Sequence, residues 1–290
     1  MPKKAARRPR TLAQTRTAGI ARGRTETHSG NDHLGTDPLG NDDPVGRSTR
    51  VIALRDTATP SSGVEPIAIA GDDGVSVSGL LQVPAGARAC YVLAHGAGGG
   101  MNHPFMAAIA AGLGERGIAT LRYQFPYMER GGRRPDPPQL AHVAVRAAAA
   151  AAMRALPQLP LIAGGKSYGG RMTSQAQAAA PIPGVRGLAF LGFPLHPASR
   201  PAQDRAKHLF AVQIPMLFLQ GTRDVLAMLD QLEPLCRALG ARATLKLFED
   251  ADHSFHVPAR TGRKDAQVRG EVLDALAVWT DAVIAGSAKT

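Results

Sequence analysis

The residues with the clearest chemical meaning form the run Gly165-Lys166-Ser167-Tyr168-Gly169, a G-x-S-x-G. An apolar segment ends just before it and a helical pattern begins just after. The serine is therefore expected on a tight strand-to-helix turn, where flanking glycines keep side chains clear and the helix N-terminus favours developing negative charge. A serine hydroxyl is a poor nucleophile without a base, and two later segments supply partners. Met216–Leu219 runs into Gln220-Gly221-Thr222-Arg223-Asp224, and Thr244–Phe248 runs into Glu249-Asp250-Ala251-Asp252-His253. Both polar residues fall in loops just beyond strands, in the order serine, acid, base, which makes Asp224 and His253 the expected acid and base. His256 competes as base but stands further from the strand end. Asp230, Asp250 and Asp252 compete as acid; the first falls in a helical pattern and the other two crowd His253 from its own strand.

His95-Gly96-Ala97-Gly98-Gly99-Gly100 follows another apolar strand. A loop so poor in side chains can aim backbone N–H groups at an oxyanion, and the expected pair is the amides of Ala97 and Tyr168. A dinucleotide fingerprint is the weaker reading, because the G-x-G-x-x-G spacing and an immediate helix are missing. His95 is expected to order this loop rather than to do chemistry, and Lys166 to be a surface charge. Arg122, Arg130, Arg133, Arg134 and Arg171 lie near the same edge. They read first as solvated or ion-paired arginines and second as a pocket for carboxylate-bearing substrates. Cys90 and Cys236 fall inside a strand and a helix and read as buried small hydrophobes.

The elements that must position these groups are legible from periodicity and turn residues. Strands are expected at 66–70, 75–83, 89–94, 118–123, 161–164, 185–191, 216–219 and 244–248. Helices are expected at 103–116, 139–156, 168–179, 226–239 and 264–284. The first two strands are joined by Gly71-Asp72-Asp73-Gly74, a hairpin-type turn. An opening antiparallel pair followed by alternating strands and helices implies an α/β fold: one mostly parallel sheet with helices on both faces. No long insertion separates Leu191 from Met216, so no lid domain is expected.

Composition narrows the classes. The 290 residues contain two cysteines, which excludes a disulfide scaffold. Aromatic residues make up 4%, too few for a base-stacking platform. The Ala-rich stretch Val143–Met153 is too short for a membrane span and contains Arg146. The net charge of +11 divides into +4 up to Glu65 and +7 beyond it, a weak preference for anionic substrates or partners. Residues 1–64 read as a disordered basic and polar tail ahead of a domain at 65–290, with eight Lys/Arg and no acid up to Arg24. A basic arm, an organellar transit peptide and a solvated extension compete for it, the last being favoured. With no apolar core of a secretory signal, a cytoplasmic location is expected. So are a small acyl substrate, no nucleic-acid partner, no metal and no organic cofactor.

The motifs together carry a resemblance. They include the run from His95 through Arg122-Tyr123-x-Phe125-Pro126-Tyr127-Met128-Glu129-Arg130, the Ser167 turn continued by Gly170-Arg171, and Gly192-x-Pro194-Leu195-His196-Pro197. Gln220-Gly221-Thr222-Arg223-Asp224 and Asp252-His253-Ser254-Phe255 complete them. From Pro66 to Ile284 the chain resembles the small lidless α/β hydrolases related to the testis-expressed protein thirty, often labelled dienelactone-hydrolase-like. The resemblance implies an α/β-hydrolase fold with Ser167, Asp224 and His253 as a catalytic triad that cleaves an ester, thioester or related acyl bond. It implies no particular substrate, and some relatives act as complex subunits, so a non-catalytic scaffold is the alternative. The chain departs from true dienelactone hydrolases, whose nucleophile is a cysteine.

Overall fold

The structure is a computed structural model and describes residues 63–287 apart from 72, 73, 75 and 198–203. Residues 1–62 of the tail expected at 1–64 and part of the Gly71–Gly74 turn lie outside the described residues, while Val64 opens the first strand. Eight strands form one sheet: β1 (Val64–Ala70), β2 (Ser76–Gln82), β3 (Ala89–Ala94), β4 (Ile118–Tyr123), β5 (Leu161–Lys166), β6 (Val185–Leu191), β7 (Met216–Gly221) and β8 (Ala243–Phe248). Their spatial order is β1-β2-β4-β3-β5-β6-β7-β8. β1 pairs antiparallel with β2, and β2 antiparallel with β4; every later pair is parallel.

Among the described residues six helices flank the sheet: α1 (Pro104–Gly114), α2 (Pro126–Glu129), α3 (Pro138–Ala155), α4 (Tyr168–Ala179), α5 (Leu229–Leu239) and α6 (Asp265–Ser287). The sheet separates two cores, and β3 shows how. Cys90, Val92 and Ala94 enter the core shared with α3 and α4, while Tyr91 and Leu93 enter the core shared with α1 and α6. The period-two alternation of a strand buried on both faces makes its sequence continuously apolar. In α3, Pro138 occupies the first turn and buried alanines recur at Ala141, Ala144, Ala148 and Ala152. Alanine gives the highest helix propensity and lets the helix approach the sheet closely. The helix stops at Leu156, the residue before Pro157, where the helical backbone is disfavoured.

Three differences from the expected elements bear on the site. α5 begins at Leu229 rather than Leu226, because the Leu226 N–H donates to Asp224 Oδ1 at 2.8 Å and the Ala227 N–H to Asp224 O at 3.2 Å. The one-turn α2 and a 3₁₀ helix at Asp204–Ala211 have no counterpart in the sequence expectations. The connection from β3 leads through α1 to β4 on one side, whereas β5 lies on the other side of β3. The carboxyl ends of β3 and β5 therefore diverge at a topological switch point, the place where open α/β sheets hold ligands.

Candidate active site

Ser167 sits between β5 and α4 with φ 51° and ψ −113°. A non-glycine residue in this region carries roughly 1–3 kcal/mol of backbone strain. The surrounding packing enforces it, because neighbouring strands crowd the turn. A Cβ on Gly165 would lie 2.1 Å from Ala94 O, and one on Gly169 would lie 2.6 Å from both Ala94 O and His95 O. Only glycine fits at either position, which is the physical content of the G-x-S-x-G spacing.

The structure brings Ser167, His253 and Asp224 into one chain of hydrogen bonds. Ser167 Oγ is 2.8 Å from His253 Nε2, and His253 Nδ1 is 2.6 Å from Asp224 Oδ2. Asp224 follows β7 and is 3% exposed. Its Oδ1 accepts from Leu226 N, and its Oδ2 also accepts from the Gln220 side-chain amide. Gln220 is itself fixed, since its Oε1 accepts from Phe193 N at 2.9 Å. The carboxylate thus presents acceptors only, so Nδ1 of His253 carries the ring proton and Nε2 turns a lone pair to the serine. The sequence alone gives Gln220 no role; its place four residues before the acid, at a strand end, is the signal.

The rival residues lie elsewhere. His256 is exposed and pairs with Asp265 at 2.9 Å, which holds its imidazole above the usual histidine range. Asp252 caps the turn that carries His253, accepting from Ser254 N at 2.7 Å and His256 N at 3.0 Å. Asp230 lies in the first turn of α5. Both cysteines are buried, and burial pushes each thiol up to about 12.

His95 is fully buried. Its Nδ1 is 2.7 Å from Gly96 O and its Nε2 accepts from Phe125 N at 3.1 Å, so both ring nitrogens are used in tying the glycine loop to the segment before α2. Burial lowers its pKa to about 4, and the ring is neutral at pH 7. Within that loop the Gly98 amide donates to Tyr127 Oη and the Gly99 amide to Gly96 O. Ala97, which lines the cavity beside Ser167, has no acceptor for its amide among the described residues.

Lys166 corrects an expectation: it is not a surface charge. Its ammonium donates to His253 O at 2.6 Å and lies 6.0 Å from the ring centroids of both Phe105 and Phe255. Desolvation lowers its pKa to about 8 against the attraction of Asp224 and Asp252. The arginines, by contrast, stay out of the cavity lining. Arg122 donates to Met101 O, Arg130 pairs with Asp136, and Arg171 lies against the Tyr168 ring. The cavity has a volume of about 350 Å³ and is lined by Lys166, Ser167, His253, His103, Phe105 and Leu226 among others. Among the described residues no three His, Cys, Asp or Glu side chains are grouped to hold a metal ion, and no helix is long and apolar enough to cross a membrane.

Comparison with known proteins bears on this arrangement. Residues 87–281 match the family model described as an alpha/beta hydrolase domain. Among solved structures, an alpha-beta serine hydrolase homologue from Coxiella burnetii is similar, with a TM-score of 0.60 and 20% identity over 73% of this chain and 97% of that one. A dienelactone hydrolase from Anabaena variabilis gives 0.60 and 21% over 75% and 96%. A serine hydrolase without a lid from Xanthomonas campestris gives 0.59 and 21% over 76% and 96%.

Proposed function

This chain belongs to the alpha/beta hydrolase domain family, and on that premise we propose that it is a serine hydrolase of an ester, thioester or related acyl bond, with Ser167, His253 and Asp224 as its triad. The observation that carries the reading is the hydrogen-bond chain from Ser167 Oγ through both nitrogens of His253 to Asp224, opening on a cavity.

Ser167 Oγ attacks the carbonyl carbon while its proton passes to His253 Nε2. The imidazolium is oriented and stabilised by Asp224, which Gln220 and the Leu226 amide hold in place. The oxyanion that forms is stabilised by the amides of Ala97 and Tyr168; one such donor contributes about 3 kcal/mol. Nε2 then protonates the leaving group, giving an acyl-serine. Water, deprotonated by the same nitrogen, attacks the acyl carbon and releases the acid and Ser167. No metal or organic cofactor enters this sequence. A small-molecule substrate fits the cavity volume, and a cytoplasmic location and a separate N-terminal extension complete the proposal.

The test is covalent labelling by a fluorophosphonate. Labelling at Ser167, abolished by Ser167→Ala in a protein with unchanged thermal melting, is the expected result. Absence of labelling in the folded wild type would favour a non-catalytic scaffold on the same fold.

A further inference from the structure

The cavity lining carries one cationic side chain and no anionic one. Lys166 is its cation, and Ser167, Ser254, His103 and His253 supply the remaining polar side chains; no Asp or Glu lines it. His103 accepts from Phe105 N through Nδ1, which leaves its Nε2 as a donor in the neutral ring. Apolar walls come from Phe105, Met106 and Leu226.

Lys166 is the unusual member. An ammonium has three N–H donors, and this one has one hydrogen-bond acceptor, the His253 carbonyl oxygen. Among the described residues no carboxylate oxygen lies within 4.0 Å of it. Asp224 and Asp252 attract it only from a distance, and Asp224 is already occupied by His253, Gln220 and Leu226 N. A desolvated cation without a counter-ion is costly, and the cost is offset when an anion enters the same space. Position adds to this: Lys166 precedes the nucleophile in the chain, and both line the cavity.

We propose that this cavity selects acyl substrates bearing a second, anionic group such as a carboxylate on the acyl chain, and that the Lys166 ammonium binds that group. The proposal rests on the hydrolase reading for its reaction but not for its binding. His103 Nε2–H and the Ser254 hydroxyl are neutral donors that line the same cavity. The titratable and charged groups around the ammonium are His253, His103, Asp224 and Asp252, of which only the first two line the cavity. The ammonium is charged at pH 7 and loses its proton near pH 8, so anion preference declines across that interval.

The experiment compares monomethyl glutarate with methyl valerate, a charged and a neutral ester of similar length, by acid release. Wild type is expected to favour the charged ester in kcat/KM by at least tenfold at pH 7, with the preference falling by pH 9. Lys166→Met should collapse the ratio, chiefly through KM of the charged ester, and Lys166→Arg should preserve it. Any loss transmitted through the His253 carbonyl affects both esters alike, so the ratio isolates anion binding. An equal fall for both esters in Lys166→Met, or no preference in wild type, overturns the proposal and reduces Lys166 to a tether for His253. A second arm needs no turnover: calorimetric binding of glutaramate against glutaramide to Ser167→Ala. Tighter glutaramate binding that Lys166→Met removes, when wild type hydrolyses neither ester, would sink the hydrolase reading and leave the anion site standing. Hydrolysis of methyl valerate without anion preference would do the reverse.

Discussion

Two serine–histidine pairs lie along the same helix. Ser167 caps α4 and is 2.8 Å from His253 Nε2; Ser174, inside α4, is 2.7 Å from His208 Nε2. By distance alone they are equivalent. Their proton directions are opposite. Ser174 Oγ donates to Arg171 O at 2.9 Å, so its hydroxyl proton is committed and His208 must donate to it. The proton of Ser167 is directed at a lone pair, because His253 gives its own proton to Asp224. Surroundings differ as sharply. Among the described residues His208 has no carboxylate partner; burial, followed by the charges of Arg171 and His142, lowers its pKa to about 4. Ser174 is fully buried in a relaxed helix, whereas Ser167 is strained and lines a cavity. A hydroxyl beside an imidazole becomes a nucleophile only when a carboxylate sets the tautomer and the backbone lifts it to substrate.

The contrast can be broken at its strongest point first. Ser167→Ala is expected to lower kcat by about 10⁴–10⁶ with an unchanged melt, whereas Ser174→Ala should leave turnover within about threefold and lower stability. The loss there is about 1–3 kcal/mol, because the His208 N–H is left buried and unpaired, and Tm falls by about 2–4 °C for each kcal/mol. Steady-state kinetics and a thermal melt on both variants separate the two. Turnover retained in Ser167→Ala would end the distinction.

Asp224→Asn comes next, with an expected loss of about 10⁴ in kcat, since an amide can hold the wrong imidazole tautomer. Gln220→Leu should cost less, about 10-fold in kcat, by freeing the carboxylate without removing it. The pair of variants, measured on one ester at saturating concentration, tests whether the acid or its clamp carries the effect.

The smallest expected effect concerns acid stability. His95 and His208 both have folded pKa values of about 4, below the ordinary 6.5. Above pH 6.5 neither group distinguishes the folded from the unfolded chain. Between 6.5 and 4 the unfolded chain binds protons that the folded protein excludes, so stability falls as pH falls. Tm should therefore decline from pH 7 to pH 5, and His208→Gln should flatten part of that decline. An identical slope in His208→Gln would show that the second pair is not a buried neutral imidazole.

Much of this was legible in the sequence for a physical reason: each strand of a parallel sheet ends in a loop, and polar residues one step past an apolar run must stand at its carboxyl edge. That placed Ser167, Asp224 and His253 together without any knowledge of distances. The role of Lys166 was not legible, because the x of a G-x-S-x-G carries no burial signal and only the packing of Phe105, Phe255 and the His253 loop encloses it. α2, at four residues, is too short to show a helical period. Apolar spacing puts the start of α5 three residues early because it cannot reveal that Leu226 N–H is taken by a carboxylate. The preference for His253 over His256 came from distance to the strand end, whereas the structure separates them by the Asp265 partner of His256.

The span between the hydroxyl and its base has a consequence in time. Ser167 and His253 are 86 residues apart, and β6, β7 and β8 intervene. At a synthesis rate of roughly 5–20 residues per second, about 4–17 seconds separate the making of the serine from that of the histidine. Until then the growing chain carries a hydroxyl with nothing to take its proton. On the proposed triad, hydrolytic power is acquired only when the last strand has joined the sheet, and a fragment that stops short of His253 is expected to be inert however well its first strands have paired.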